Sequence, residues 1–236
     1  MGTAAQLDGE GLADGAETPA AVTELGMPSR LRAAVARARA RLTGLWVVTG
    51  TDAAETIATL SHAFGAVRMP VLCDRASTNE ALEAAERGIV LADADGGDTI
   101  QTILMLRRLA SDRFAFAAML RLLVAQRSVP GLCGGCRRPQ QAYGSVAALL
   151  GLDPGAILWE APGCEACDGS GSVGRVRIFE GVEIDSAMRR LIYDGADAPL
   201  LARHAFLNTP NLASAARRLA REGLIAPEEA VRISRG

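Results

Sequence analysis

Four cysteines carry the clearest chemistry in this sequence: Cys133, Cys136, Cys164 and Cys167. They form two C-x-x-C pairs, Cys133-Gly-Gly-Cys136 and Cys164-Glu-Ala-Cys167, with 27 residues (137–163) between them. A two-residue gap lets both sulfurs of a pair turn toward one point. Two such knuckles make a closed tetrahedral four-sulfur shell, which suits zinc. A closed shell leaves no open coordination position, so the expected zinc is structural and not catalytic. Gly134 and Gly135, and Gly169 and Gly171 just after the second pair, allow tight turns and close backbone approach. Arg137, Arg138 and Arg175 are placed to offset the charge of four thiolates. An iron–sulfur site, a redox pair and a decayed site are the alternatives. A thioredoxin-like reading is weak, because neither pair sits between a strand and a helix of a βαβ unit. Cys73, beside apolar Val71-Leu72, reads as a small buried core residue. His62 and His204 lie in helical stretches and read as ordinary surface or core residues.

The second chemical signal is an absence. All 25 cationic side chains are Arg, and the 236 residues contain no Lys. Any mechanism that needs a catalytic or phosphate-binding lysine is excluded within this chain. Apolar residues at 49% and charged residues at 22% indicate a globular chain. A net charge of −2 with 4% aromatics argues against nucleic acid as a partner, which favours a basic stripe with stacking residues. Apolar runs are interrupted by charge, as at Arg121 within Phe114–Val124, so no transmembrane segment is expected. Residues 1–22 show no basic start and no apolar core, so no signal peptide is read, and a cytoplasmic location is expected. Paired C-x-x-C in such a chain favours metal over disulfides.

Elements follow from periodicity. Residues 1–24 lack a periodic apolar pattern and read as a disordered tail. Leu31, Val35, Ala38 and Leu42 recur at helical spacing after Pro28-Ser29, with Arg30, Arg32, Arg37, Arg39 and Arg41 on the remaining surface. That surface reads as a solvated face, or as a basic patch for acidic lipid headgroups or an acidic partner. Leu45–Thr49 reads as a buried strand ending at Gly50. A helix over about 54–64, a strand over 69–73, a helix over 79–86 and a strand over 89–92 follow. Two apolar helices are expected at about 99–109 and 114–126. Strands alternating with helices indicate a parallel α/β layer. Residues 133–172 are rich in Gly, Pro and Cys, with a short helix near 145–150. Val173 to Ile184 alternates as a strand or hairpin. Small helices are expected at about 186–193, 198–206, 211–221 and 227–234, the last opened by Pro227 with Glu228 and Glu229.

The run from Leu122 to Cys133 (LLVAQRSVPGLC), the two cysteine pairs, Gly169, Gly171, Gly174-Arg175 and Ile178-Phe-Glu180 resemble the C-terminal part of the type II secretion and type IV pilus assembly ATPases. In that family an LAQRLVRxLC run leads to two C-x-x-C pairs, then a GxxGR.GIYE run and a small helical region. The tail from Glu222 to Ser234 is similar to the family's closing AGxTTxEEVLRVT. Upstream, Leu25-Gly26-Met27 and Gly44–Gly50 are similar to the approach to its phosphate loop, LGM…GLVLVTGPTGSGKTT. The resemblance covers about residues 25–236. It implies a truncated RecA-like P-loop layer over 25–130, followed by a zinc-bearing, mainly helical region over 131–236.

The departures bear on function. A phosphate loop aims backbone N–H groups at phosphates with glycines and reaches the terminal ones with a Lys. Gly50–Ile57 occupies that place without gaps. Gly50, the first glycine, is kept as the remnant of a nucleotide site. Glu55 replaces the second glycine, Thr56 the Lys, and Ile57 the magnesium-binding Ser/Thr. Asp52 and Glu55 set carboxylates where phosphate charge must sit, each repulsion on the order of 4 kcal/mol at about 4 Å and an effective dielectric near 20. ATP is therefore not expected as a cofactor. Thr56 to Asp74 is too short to hold both the family's acidic box and its GEIRD motif. If Leu72-Cys-Asp74 ends the GEIRD motif, the catalytic Glu position is Pro70 or Val71; if Asp74 belongs to the acidic box, the GEIRD strand is deleted. The family's His before ND is replaced by Asp95. The resemblance thus implies a pseudo-ATPase in protein transport, with no catalytic residue of its own. It would serve as a structural or regulatory subunit of the cytoplasmic motor. It would join an active ATPase in an oligomer, or contact an inner-membrane platform protein at the membrane periphery. An ATPase with an altered site, with catalytic groups donated by a neighbour, and a free-standing zinc-ribbon interaction module are the alternatives.

Overall fold

A computed structural model of the chain describes residues 19–142, 144–153 and 155–235. Residues 1–18, most of the expected tail, lie outside the described residues. Residues 20–24, placed at the end of that tail, form the short helix α1 (Ala20–Glu24), anchored by fully buried Val22. Helix α2 (Ser29–Arg39) turns Leu31, Ala34, Val35 and Ala38 inward. It ends before Leu42, which adopts φ +59° and is 73% exposed, not part of the apolar face expected from its spacing.

Strand β1 (Gly44–Gly50) is the buried centre of the molecule. Helix α3 (Ala53–Phe64), strand β2 (Val67–Arg68), helix α4 (Arg75–Ala85) and strand β3 (Ile89–Asp93) follow. Helices α5 (Thr99–Leu109) and α6 (Arg113–Met119) lead into β4 (Leu120–Leu132). The second half holds β5 (Arg138–Gln141), α7 (Gly144–Leu150), β6 (Ile157–Glu160), a single 3-10 turn at Glu165–Cys167 and β7 (Ser172–Glu183). Helices α8 (Ser186–Asp194), α9 (Ala198–Ala205), α10 (Leu212–Arg221) and α11 (Pro227–Ser234) close the described chain.

The main sheet has the order β2-β3-β1-β4-β7. β2, β3, β1 and β4 are parallel, and β7 runs antiparallel to β4 at the edge. Side chains alternate across the sheet. Leu45 and Val47 of β1 enter a core with α4, α5, α6, α8 and α9 residues, while Trp46 and Val48 enter a second core with α1, α2 and α3. This is the expected α/β layer with helices on both faces of a parallel sheet.

Three expectations need correction. The apolar run placed in a helix over 114–126 is helical only to Met119; from Leu120 it is the long strand β4. An apolar run buried on both faces has no polar phase, so periodicity does not separate the two states. The strand expected over 69–73 is assigned only at Val67–Arg68. Its extended path nevertheless continues, since the N–H groups of Met69 and Leu72 donate to Leu91 and Asp93 carbonyls at 2.9 Å each. Along that path Leu72 is buried, so its neighbour Cys73 faces out; Cys73 is exposed and not in the core. The β5/β6 hairpin, paired from Arg138↔Glu160 to Gln141↔Ile157, carried no recognisable alternation in sequence.

The far ends of β4 and β7 leave the parallel sheet and enter a third core with α7, β6, α10 and α11, centred on Val129, Leu158, Ile178 and Ala216. Glu180 of β7 ties these regions together. It is 3% exposed and accepts from the Thr99 N–H at 3.0 Å, the Thr99 hydroxyl and the Leu212 N–H at 2.8 Å. One carboxylate thus satisfies the first N–H of α5 and of α10, where helices leave donors unpaired. Burial pushes its pKa up, against the pull of those hydrogen bonds. Glu180→Ala should lower stability by about 2 kcal/mol through the unpaired buried donors, read as a shift in urea midpoint. An unchanged midpoint would mean the carboxylate does not join the two helices to the sheet.

Candidate metal centre and the phosphate-loop position

The β4/β7 ribbon delivers the cysteines. Cys133 follows the last residue of β4, and its N–H donates to the Gly171 carbonyl at 2.9 Å, one residue before β7 begins. The two knuckles therefore meet where the ribbon ends. All four sulfurs lie within 4.8 Å of one another. Cys133–Cys164, Cys136–Cys167 and Cys164–Cys167 Sγ separations are 3.9, 4.0 and 3.8 Å. A disulfide needs about 2.05 Å, so these are thiols set apart. Four sulfurs at about 2.3 Å from a central ion would stand about 3.8 Å apart. The expected four-cysteine cluster is brought together, with the spacing of a tetrahedral metal shell. Such an ion would supply no reaction chemistry here. It would cross-link residues 133–136 to 164–167.

The local electrostatics differ from the sequence expectation. Cys167 Sγ accepts from the N–H groups of Cys164 and Gly171, both at 3.2 Å. The Cys164 N–H holds the Cys167 thiol down at about 6, whereas burial pushes Cys136 up to about 12. Backbone donors, not arginines, meet the sulfur charge. Arg137 donates to the Gly223 carbonyl at 2.6 Å and stacks over Trp159; Arg138 pairs with Glu160; Arg175 donates to the Ser128 hydroxyl. The glycines also divide differently. A Cβ at Gly134 would meet nothing within 4 Å, while one at Gly163 would fall 2.3 Å from the Gly169 carbonyl oxygen and one at Gly171 2.2 Å from that of Ala161. Gly163, at φ +102°, was missed in the sequence, where its signal was only its place before Cys164.

Gly50 sits at the C-terminal end of β1, where a phosphate loop would start. Only Thr51 and Asp52 separate it from α3, so helix replaces most of the loop. A Cβ at Gly50 would lie 2.1 Å from the Gln126 carbonyl oxygen, so close packing on β4 by itself requires glycine here. Thr56, at the expected Lys position, is fully buried and donates to Gln126 Oε1 at 2.7 Å. Gln126 Nε2 donates to the Thr51 carbonyl at 2.6 Å, and the Ser128 N–H to the Thr51 hydroxyl at 2.7 Å. Ile57 is buried, and Glu55 is ion-paired with Arg177. A cavity of about 380 Å3 remains beside Gly50, lined in part by Val71, Asp93, Asp95 and Arg127. Val71, one of two positions expected for the catalytic Glu, is apolar there. Burial raises the pKa of Asp93, and Asp95 adds to the effect. Arg127 donates to the Gln126 and Gly97 carbonyls at 2.9 and 2.8 Å. Asp74 lies outside this cavity and N-caps α4 through the Ser77 N–H at 2.8 Å. His62 is exposed, and His204 Nε2 contacts the Asp185 carboxylate at 3.1 Å.

The family described as Type II/IV secretion system protein matches residues 72–232. This chain belongs to that family. It is 33% identical over 165 residues to the type II secretion system protein E of Pseudomonas aeruginosa, covering 69% of this chain and 33% of that protein. It is 29% identical over 149 residues to the type IV pilus assembly ATPase PilB of Myxococcus xanthus, covering 61% and 26%. The chain thus spans about a third of the length of the curated relatives it matches. Its fold is similar to that of the ATPase DotB of Yersinia pseudotuberculosis, with a TM-score of 0.60 at 12% identity over 91% of this chain and 62% of that one. The pilus retraction motor PilT with bound ADP gives 0.57 at 17% identity over 92% and 67%. Among the described residues no helix is long and apolar enough to cross a membrane.

Binding free energy at a closed thiolate site is folding free energy. Cys133→Ser and Cys164→Ser should each abolish stoichiometric metal, measured by elemental analysis, and lower the thermal midpoint. Unchanged metal content in both would sink the metal reading.

Proposed function

We propose that this family member is a catalytically inactive relative of the secretion and pilus ATPases, acting as a structural or regulatory subunit of a cytoplasmic motor. The observation that carries the reading is Thr56. It stands at the lysine position of the phosphate loop, buried and hydrogen-bonded to Gln126, inside a network that also holds Thr51 and Ser128. The chain has no Lys to take over the role. The two-residue turn after Gly50 offers too few backbone N–H groups to cradle a phosphate chain. Zinc is the metal we assign to the four cysteines, on ligand type and spacing. In this reading residues 25–130 are a degenerate RecA-like core and 131–236 a zinc module with C-terminal helices. β7, α8 and α9 of the second part pack back on the first core. The packing surface and the zinc module are kept, while the lysine position is taken up by a side chain bonded within the core. An active ATPase of the same machine, or its inner-membrane platform protein, is the partner class.

Calorimetry with ATP–magnesium on zinc-loaded protein should give no heat of binding at millimolar nucleotide, and an active relative from the same host should co-purify. Micromolar binding lost on Gly50 or Asp93 substitution would overturn the inactive reading and favour an altered ATPase site.

A further inference from the structure

A cavity of about 850 Å3 lies where the first and third hydrophobic cores face each other. One wall is Ile100 of α5 with Ala202 and Phe206 of the α9 segment, all packed with the first core. The other is Val129 of β4, Leu212 of α10 and Ile233 of α11, which belong to the third. Ala198 and Ala202 stand four residues apart on α9, share one face of it, and both border the space. Their side chains are too short to fill the gap between the cores. Small-molecule sites are apolar clefts of about 300–1,000 Å3 with a few convergent polar groups.

The polar groups here carry charge. Arg127, Arg232, Arg235, Asp98 and Glu180 all border the cavity. The two carboxylates are already met by helix starts. Asp98 accepts from the Gln101 N–H at 2.7 Å, and Glu180 accepts from the Thr99 and Leu212 N–H groups. Among the described residues only one of the three arginines has a counter-charge, Arg232 with Glu229. Arg127 donates to two backbone carbonyls, at 2.9 and 2.8 Å, and neutral carbonyls leave its charge uncompensated. Arg235 makes no side-chain hydrogen bond or ion pair among the described residues. Apolar walls bordered by two uncompensated guanidinium groups fit a ligand in two parts, an apolar body and an anionic group.

We propose that this cavity binds a small amphipathic organic anion, a carboxylate or sulfonate on an apolar ring or chain. Arg127 and Arg235 hold the charge, and the apolar body bridges the first and third cores. Arg127 also borders the Gly50 cavity, so the two spaces share a wall. Neither Thr56 nor Ile57 borders the larger one, so this site does not depend on the inactive reading of the phosphate-loop position.

The test uses full-length, metal-loaded protein and two fluorescent probes with one apolar body. Anilinonaphthalenesulfonate carries the charge, and its uncharged parent phenylnaphthylamine lacks it. The sulfonate should bind saturably, one molecule per chain, and raise the thermal midpoint. Arg127→Met combined with Arg235→Met should weaken it about tenfold or more, while binding of phenylnaphthylamine stays as in wild type. Ala202→Trp, which fills the space, should abolish binding of both probes. Ala198→Trp is a second filling variant, read where circular dichroism shows that Ala202→Trp has not folded. Arg75→Met, at the start of α4 and outside the cavity, should bind as wild type does. The proposal is overturned if wild-type protein shows no saturable binding of the sulfonate, or if a folded filling variant still binds it. It is overturned equally if the double arginine variant keeps wild-type affinity or loses both probes alike, or if Arg75→Met loses as much. Displacement of the sulfonate by ATP–magnesium would make the cavity part of a nucleotide site and overturn it too.

Discussion

The antiparallel pairing of β4 with β7 is the constraint on which the rest depends. It runs from Leu122↔Glu183 to Leu132↔Ser172. One end is embedded in the parallel sheet, where β4 is also paired with β1. The other end projects into the third core and brings Cys133 against Gly171. A long ribbon buried on both faces at one end is stiff, so the cysteine cluster is held in fixed relation to β1. Cys133 and Cys164 are 31 residues apart in sequence. A metal there would close a loop whose roots the ribbon has already joined. It would therefore order the segment between them more than it would position the sheet.

Glu180 lies mid-ribbon and extends the same logic sideways. Because it accepts from the first residues of α5 and α10, the loop beside the Gly50 cavity and the helices behind the cysteine module share one buried anchor. A carboxylate raised in pKa by burial is retained at some cost to folding. What it supplies is register, since a shift of either helix would strand donors in the core.

Much of this was legible in residue types. β1 and β3 stand out as short β-rich runs bounded by glycine, and the C-terminal helices follow from their period and caps. The four cysteines announce their cluster through spacing. β4 was not legible, because Leu120–Ala125 is apolar on both faces and the one charge in it, Arg121, is a bulge that breaks alternation. The arginines near the cysteines were misleading for a different reason. A guanidinium reaches many acceptors, and sequence proximity does not say that Arg137 will choose the Gly223 carbonyl over a thiolate. Cys73 and Leu42 failed similarly. Their faces were set by the edge position of one segment and the early end of a helix.

Gly50 shows how a residue of the family pattern is held by packing. In a phosphate loop a glycine is kept so that backbone can approach phosphate. Here the same residue is required by the Gln126 carbonyl, which leaves no room for a Cβ. Packing alone is enough to preserve it, whatever happens to the ligand. The neighbouring positions carry no such constraint, and two of them, Thr56 and Ile57, are ordinary interior residues. Thr56 is bonded within the core, Ile57 is buried against it, and Glu55 turns outward to Arg177. Each of the three residues has a structural partner in the fold. Restoring one family residue would leave the others in place: a lysine at 56 would have to emerge from a buried position, past Gln126, into a turn only two residues long. The strand–turn–helix geometry thus persists as scaffold, because the sheet needs β1 in its centre with or without a nucleotide above it.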